Sequence, residues 1–121
     1  MAPAVPPTPG PLSAAEILRA RYAARLPGEL RELAGPRHGR VTLPLHIAWS
    51  GLRTWDLDRP RARMSLYRTL LAEGQRDDLT AYLDAGLLTD QWPVLRTLIP
   101  RAARDAWEAA FPELVPAVAA A

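Results

Sequence analysis

The sequence contains no cysteine and no lysine. Without cysteine there can be no disulfide, no thiol nucleophile and no thiolate ligand for zinc or an iron–sulfur cluster. Without lysine there is no Walker-A lysine, no Schiff base and no lysine general base. Only two histidines, His38 and His46, remain as nitrogen ligands, which is too few to build a metal site on their own. Long apolar runs are missing as well. The last stretch, Leu114 to Ala121, is apolar but short and interrupted by Pro116. It falls far below the ~20 residues that span a bilayer. The first residues lack the basic start and unbroken apolar run of a secretory signal. These absences predict a soluble, cytoplasmic protein with no cofactor and no membrane association.

What is present points to a folded body. Of 121 residues, 49% are apolar and 23% charged, and four are tryptophan, enough for one domain with a real core. All fifteen cations are arginine, and the formal net charge is only +2, so the high isoelectric point reflects arginine's pKa rather than a large excess of charge.

Read along the chain, Met1 to Pro11 holds five prolines and no charged side chain, which predicts a flexible tail over residues 1–12. A single helical domain is expected over 13–114, followed by a short flexible tail over 115–121. Ser13-Ala14-Ala15-Glu16 has the form of a capping box, with Ile17, Leu18, Tyr22 and Leu26 as the apolar stripe behind it and Pro27-Gly28 as the stop. A short helical piece over Glu29 to Leu33 leads into a loop, Gly35 to Arg40. Val41 to Leu43 reads either as extended or as the approach to a helix. Thr42 as cap and Pro44 in the first turn favour a short helix to about Ser50, with Leu45, Trp49 and Leu52 on one face.

The clearest helix begins at Pro60, with Asp58 as its expected cap, and ends at Gly74; Met64, Tyr67, Leu70 and Leu71 recur at helical spacing. Asp77-Asp78 suits the positive start of a following helix. Gly86 is expected to break that helix, and Pro93 to limit the next. A last helix opens at Pro100, with Ala103, Ala106, Trp107, Ala110 and Phe111 facing inward and Pro112 ending it. No βαβ rhythm and no hairpin signature is visible. The predicted fold is therefore all-α, an orthogonal bundle of about five to seven short helices.

Charge is uneven. Residues 1–70 carry eleven arginines against five acids, a sum of +6, and residues 71–121 carry four against eight, a sum of −4. This asymmetry is explained either by internal pairing of the two halves or by a basic face for an anionic partner. Arg59, Arg61 and Arg63 crowd the start of the Pro60 helix, where the dipole favours anions instead, and Arg37 and Arg40 lie in the glycine-bearing loop. These five arginines are the candidate phosphate contacts, although Asp56 and Asp58 are near enough to neutralise some of them. At 100° per residue Arg59 and Arg63 point one way and Arg61 and Arg68 the other. The pairing of Arg53 with Trp55 in an expected irregular link is the candidate protein-binding pair, since arginine and tryptophan are enriched at interface hot spots. The competing reading makes Trp55 a buried anchor of the link.

Two further constellations carry less. A helix-turn-helix with Gly86 in its turn places Leu87, Trp92 and Leu95 suitably. However, Tyr82 falls where a small residue is needed, Pro93 interrupts the recognition helix, and its exposed face offers only Asp90, Gln91 and Arg96. His46 and Ser50 are four residues apart, but spacing alone supplies neither an oriented base nor an oxyanion hole, and His46 between apolar neighbours reads as a packed residue. No catalytic residue is assigned.

The segment Val41–Leu114, through Leu43-Pro44-Leu45-His46-Ile47-Ala48-Trp49-Ser50-Gly51, Tyr67-Arg68-Thr69-Leu70-Leu71-Ala72-Glu73-Gly74 and Asp105-Ala106-Trp107-Glu108, resembles small uncharacterised proteins of high-GC actinobacteria. No known activity attaches to that resemblance; it suggests a link to toxin–antitoxin or regulatory gene pairs. The arginine-for-lysine bias also fits a GC-rich bacterial coding sequence. The expected function is that of a non-enzymatic regulatory or accessory protein binding a protein partner, with a nucleic-acid-binding regulator as the alternative and an enzyme third.

Overall fold

The computed structural model describes residues 12–48 and 53–115. The chain starts with α1 (Ala14–Arg25), closed by the expected capping box. The Glu16 N–H donates to Ser13 Oγ at 3.1 Å, and the Ser13 N–H to Glu16 Oε2 at 3.0 Å. The anticipated apolar stripe goes inside only at its C-terminal end, where Leu26 just past the helix is buried and Tyr22 packs partly against the core. No residue of α1 is buried, and Ile17 and Leu18 retain 41% and 46% of their exposure. The helix is instead held by its packing along α5 and by Arg76, whose guanidinium donates to the Leu26 and Ala24 carbonyls at 3.0 and 2.9 Å. A cation on the last carbonyls of a helix is the favourable sign for its dipole.

A single 3₁₀ turn, Leu30–Glu32, follows. The chain then passes so close to residues 80–84 that the Ala34 and Gly35 amides donate to the Thr80 and Leu83 carbonyls, both at 2.8 Å. A β-carbon on Gly35 would lie 2.3 Å from the Tyr82 carbonyl carbon, so only glycine fits. Gly39 takes φ +86°, the left-handed region that glycine enters freely, and turns the chain into the next element.

Here the all-α expectation is corrected. β1 (Arg40–Thr42) and β2 (Thr54–Asp56) pair antiparallel, with Arg40 opposite Asp56, Val41 opposite Trp55 and Thr42 opposite Thr54. Each strand is three residues long, too short for alternation to stand out in sequence. The inward residues Val41 and Trp55 are nevertheless β-branched and aromatic, the types that favour a half-buried pleat. The helix expected from Thr42 to Ser50 is absent over its described part: the Ile47 and Ala48 amides both return to the Pro44 carbonyl, which closes one turn and no more. Leu45 is 60% exposed, while Ile47 and Ala48 are buried. Trp49, Ser50 and Leu52 lie outside the described residues.

The second half is helical throughout: α2 (Pro60–Glu73), α3 (Arg76–Tyr82), α4 (Ala85–Leu98) and α5 (Arg101–Ala110). Pro60 and Gly74 bound α2 as expected, but its N-cap is Arg59, not Asp58. Gly86 and Pro93 both lie inside α4, contrary to the breaks assigned to them. Asp84 is the reason for the first. Its carboxylate accepts the Leu87 N–H at 2.9 Å and starts the helix before Gly86 can end anything. Pro93 removes one backbone bond, a cost that the burial of Trp92 and Leu95 on the same helix offsets.

The core is one cluster, in which Leu66, Tyr67 and Leu70 of α2 meet Leu88, Trp92 and Leu95 of α4 and Ala103 and Trp107 of α5, with Leu43, Trp55 and Leu57 joining it from the ribbon side. Trp92 and Trp107 pack with ring centres 6.4 Å apart, and Trp107 and Phe111 at 5.4 Å. No helix of the described residues is long and apolar enough to cross a membrane.

Candidate functional site

The fold gathers most of the arginines singled out above on the outer side of the ribbon and the adjoining end of α2. Alternation of the strands sends Val41 and Trp55 inward and leaves Arg40, Thr42 and Thr54 outside. The Thr42 and Thr54 hydroxyls meet at 2.8 Å and tie the pair across the strands. Arg40 and Arg59 line one shallow hollow together with Thr54, Trp55, Asp56 and Ala62. Arg59 and Arg61 line the next, which shares Ala62. Arg40, Arg59 and Arg61 are thus neighbours on one surface.

Local turns explain how they come together. The Asp58 N–H donates to Asp56 Oδ1 at 3.0 Å and the Arg59 N–H to the Asp56 carbonyl at 3.1 Å, folding the chain from β2 straight into α2. Asp58, freed from capping, reaches the loop: it lies 2.9 Å from His38 Nδ1 and accepts the Gly39 N–H at 3.3 Å. The His38 hydrogen bond, supported by that amide, holds the Asp58 carboxyl below its ordinary range. Among the described residues the first turn of α2 has no acid, so its amide dipoles and the arginines present the same sign to solvent. Asp56, 3.7 Å from Arg59, relieves part of this.

Not every candidate belongs to the surface. Arg63 is half-buried, with Nη1 on the Leu57 carbonyl at 3.3 Å and its Nε enclosed without a partner among the described residues. It falls on the α2 face of Leu66, Tyr67 and Leu70, so it cannot act with Arg59 as one pair. Its spacing of four and seven from Tyr67 and Leu70 was the signal that places it there. Arg37 bonds Asp84 Oδ2 at 3.0 Å, which joins the basic half to the acidic half and ties up that charge.

The expected pair of Arg53 and Trp55 is also divided. Arg53 is exposed, its Nη2 3.4 Å from the Leu43 carbonyl. Trp55 retains only 4% exposure; it is an inward residue of β2, and its indole N–H donates to Ser65 Oγ at 3.3 Å. Its place in a strand rather than an irregular link is what turns it inside.

His46 is corrected as well. Its ring is exposed, and Nε2 lies 3.1 and 3.0 Å from the two oxygens of Asp78, which is buried and also accepts the Gln75 N–H at the start of α3. The partner of His46 is therefore thirty-two residues away, and no local spacing announces it. Ser50 lies outside the described residues. Among the described residues no three His, Asp or Glu side chains converge in a way that could hold a metal ion.

The helix that a helix-turn-helix alignment would use for base reading, α4, points the wrong chemistry outward. Arg96 is engaged by Glu108, at 2.9 Å through Nε and 3.2 Å through Nη2, while Asp90, Val94 and Leu98 face solvent. Comparisons with protein-family models, with curated proteins and with solved structures find no match to this chain.

Proposed function

We propose that this is a non-enzymatic regulatory or accessory protein that binds a protein partner, and that Arg40, Arg59 and Arg61, with Arg53 at the other end of the ribbon, dock on an acidic surface of that partner. The observation that carries this reading is the placement of Arg40, Arg59 and Arg61 around two adjoining hollows at the ribbon and the start of α2. Arg40, Arg53 and Arg61 form no ion pair among the described residues, so their charge is available. Trp55, which lines the first hollow but is only 4% exposed, contributes by stiffening the ribbon from beneath.

A phosphate backbone is the rival ligand. Asp56 and Asp58 stand among the arginines and would meet phosphates with the wrong sign, whereas a protein surface can answer both signs in register. The engagement of Arg96 by Glu108 also leaves α4 without a cation for base contacts.

The test is affinity capture from the native host with the full chain and with Arg40→Ala/Arg59→Ala/Arg61→Ala, each with and without nuclease. Capture of one protein that survives nuclease and weakens by about tenfold or more in the triple variant supports the reading. Capture that disappears with nuclease would overturn it, as would tight duplex-DNA binding whose log–log salt slope falls by ~0.9 for each arginine removed.

A further inference from the structure

The ribbon has one edge that the described chain leaves open. The Leu43 N–H donates to the Arg53 carbonyl and the Leu57 N–H to the Gly39 carbonyl, both at 2.8 Å, on either side of the Val41–Trp55 pair. Hydrogen-bonded and non-hydrogen-bonded pairs alternate along an antiparallel ladder, so Arg40–Asp56 and Thr42–Thr54 are the non-hydrogen-bonded pairs. The 2.8 Å approach of the two threonine hydroxyls agrees with that assignment, since side chains come closest at such pairs. The N–H and C=O groups of Arg40 and Thr42 therefore point away from β2. Among the described residues they take no backbone hydrogen bond from another segment. Helix α2 lies along β2, which leaves β1 as the outer strand, with Arg40 and Thr42 both exposed.

A row of unpaired donors and acceptors on an extended backbone is a template for one more strand. This edge is also held in shape before anything binds. Val41 and Trp55 anchor the ribbon from below, both buried, and the Thr42–Thr54 hydroxyl bond ties it from above. An incoming strand has little of β1 left to order, which lowers the entropic cost of pairing.

Charge selects the occupant. Arg40 is the one charged side chain of β1, and it forms no ion pair among the described residues. Asp56, opposite it on β2, has its carboxylate 3.7 Å from Arg59 instead. Arg59 and Arg61 add to the same sign across the adjoining hollows. A second copy of β1 would set one arginine face beside another, and like charges on neighbouring strands repel. A carboxylate on the added strand, opposite Arg40, is attracted. We propose that an extended acidic segment of a protein partner adds to β1 as the third strand of the ribbon, its main chain bonded to Arg40 and Thr42 and a carboxylate beside the Arg40 guanidinium. This rests on the reading of the arginine surface as a dock for an acidic protein, and adds to it the conformation in which that protein is held.

The probe is a blocked peptide of alternating glutamate and threonine, titrated at low salt into the isotopically labelled full chain and followed by nuclear magnetic resonance. The Arg40 and Thr42 amides should shift and exchange more slowly with water, while the Val41 amide, already within the ladder, should change least. Methylating every amide nitrogen of the peptide keeps its charge but removes its donors, and should weaken binding by about fivefold or more. Thr42→Pro removes an outward N–H that β2 does not use and should weaken binding similarly. Thr42→Val loses only the hydroxyl and should bind as the wild type does. Binding that ignores both N-methylation and Thr42→Pro, yet is lost in the Arg40→Ala/Arg59→Ala/Arg61→Ala chain, overturns the strand addition and leaves the acidic dock standing. Binding that ignores the triple substitution overturns both. Arg40 and Thr42 amides that stay unmoved at millimolar peptide overturn the strand addition, as do amides already protected in the free chain by pairing with a second copy.

Discussion

Trp55 and Trp107 occupy the same kind of place although their surroundings in sequence differ. Trp107 sits on an apolar helical stripe and is 1% exposed; Trp55 sits between polar neighbours and is 4% exposed. Trp55→Ala and Trp107→Ala should each lower stability by ~3–5 kcal/mol in denaturant unfolding, as large-to-small core changes do. A Trp55→Ala chain that keeps its stability and loses only a partner would restore the interface role. Trp107 was legible because helical periodicity carries it, whereas a strand of three residues offers no periodicity from which Trp55 could be placed. Glu108 is a second decisive residue. Arg96's hydrogen bonds hold its carboxyl below the usual range against some desolvation, and the Trp92 indole N–H adds to them at 2.9 Å. A depressed carboxyl contributes stability at every pH above its unfolded value and loses it as pH falls through its lowered folded value. The difference in Tm between the wild type and Glu108→Gln should therefore be largest near neutrality and shrink as the solution is acidified below the ordinary carboxylate range. An unchanged difference would remove Glu108 from the acid response. Tyr67 works at the other end of the scale: burial pushes its hydroxyl up to about 12, so the stability it contributes is complete below the ordinary tyrosine value near 10 and is lost as pH rises toward 12. Tyr67→Phe should abolish the tyrosinate absorbance step near pH 12 and leave the Asp84 N–H unsatisfied.

The helices and the ribbon are joined by short-range geometry that tolerates little change. Gly35 lies against the backbone of Tyr82 and Leu83, and any side chain there must push two segments apart. Gly35→Ala should cost ~1–3 kcal/mol, the range of an overpacked site, and break the paired hydrogen bonds from Ala34 and Gly35. Amide exchange at Ala34 and Gly35 should accelerate in the variant; unchanged protection would show that the two segments are not held by this contact. The boundaries of α1, α2 and α5 were readable because a serine–glutamate box, Pro60 with Gly74, and Pro100 with Pro112 mark them chemically. The breaks placed at Gly86 and Pro93 failed because propensity was outweighed: Asp84 caps the helix ahead of Gly86, and a buried face carries α4 through Pro93.

Stability across the molecule should follow burial. In native-state hydrogen exchange, α2, α4 and the Trp107 region of α5 should be the most protected, and α1 should open first, since it buries none of its residues. Equal protection in α1 would mean that its contact with α5 and the Arg76 cap suffice to bind it into the core. The charge asymmetry of the two halves is partly internal, as the Arg37–Asp84 pair shows. What remains outside includes Arg40, Arg53, Arg59 and Arg61 at the ribbon and the start of α2, and also Arg19, Arg21 and Arg68 elsewhere on the basic half.

Composition and spacing alone determined the absence of thiol and lysine chemistry, the predominance of helix, the capped start of α1, and the buried stripe of α2, because each depends on residue type or on neighbours within one helical turn. Only the tertiary structure decided that Val41 and Trp55 pair as strands, that Arg63 turns inward while Arg40, Arg59 and Arg61 share a surface, and that His46 meets Asp78. Those outcomes depend on contacts between segments far apart in the chain. Local preference is too weak to choose among them until burial of the common core fixes which side of each short element faces in.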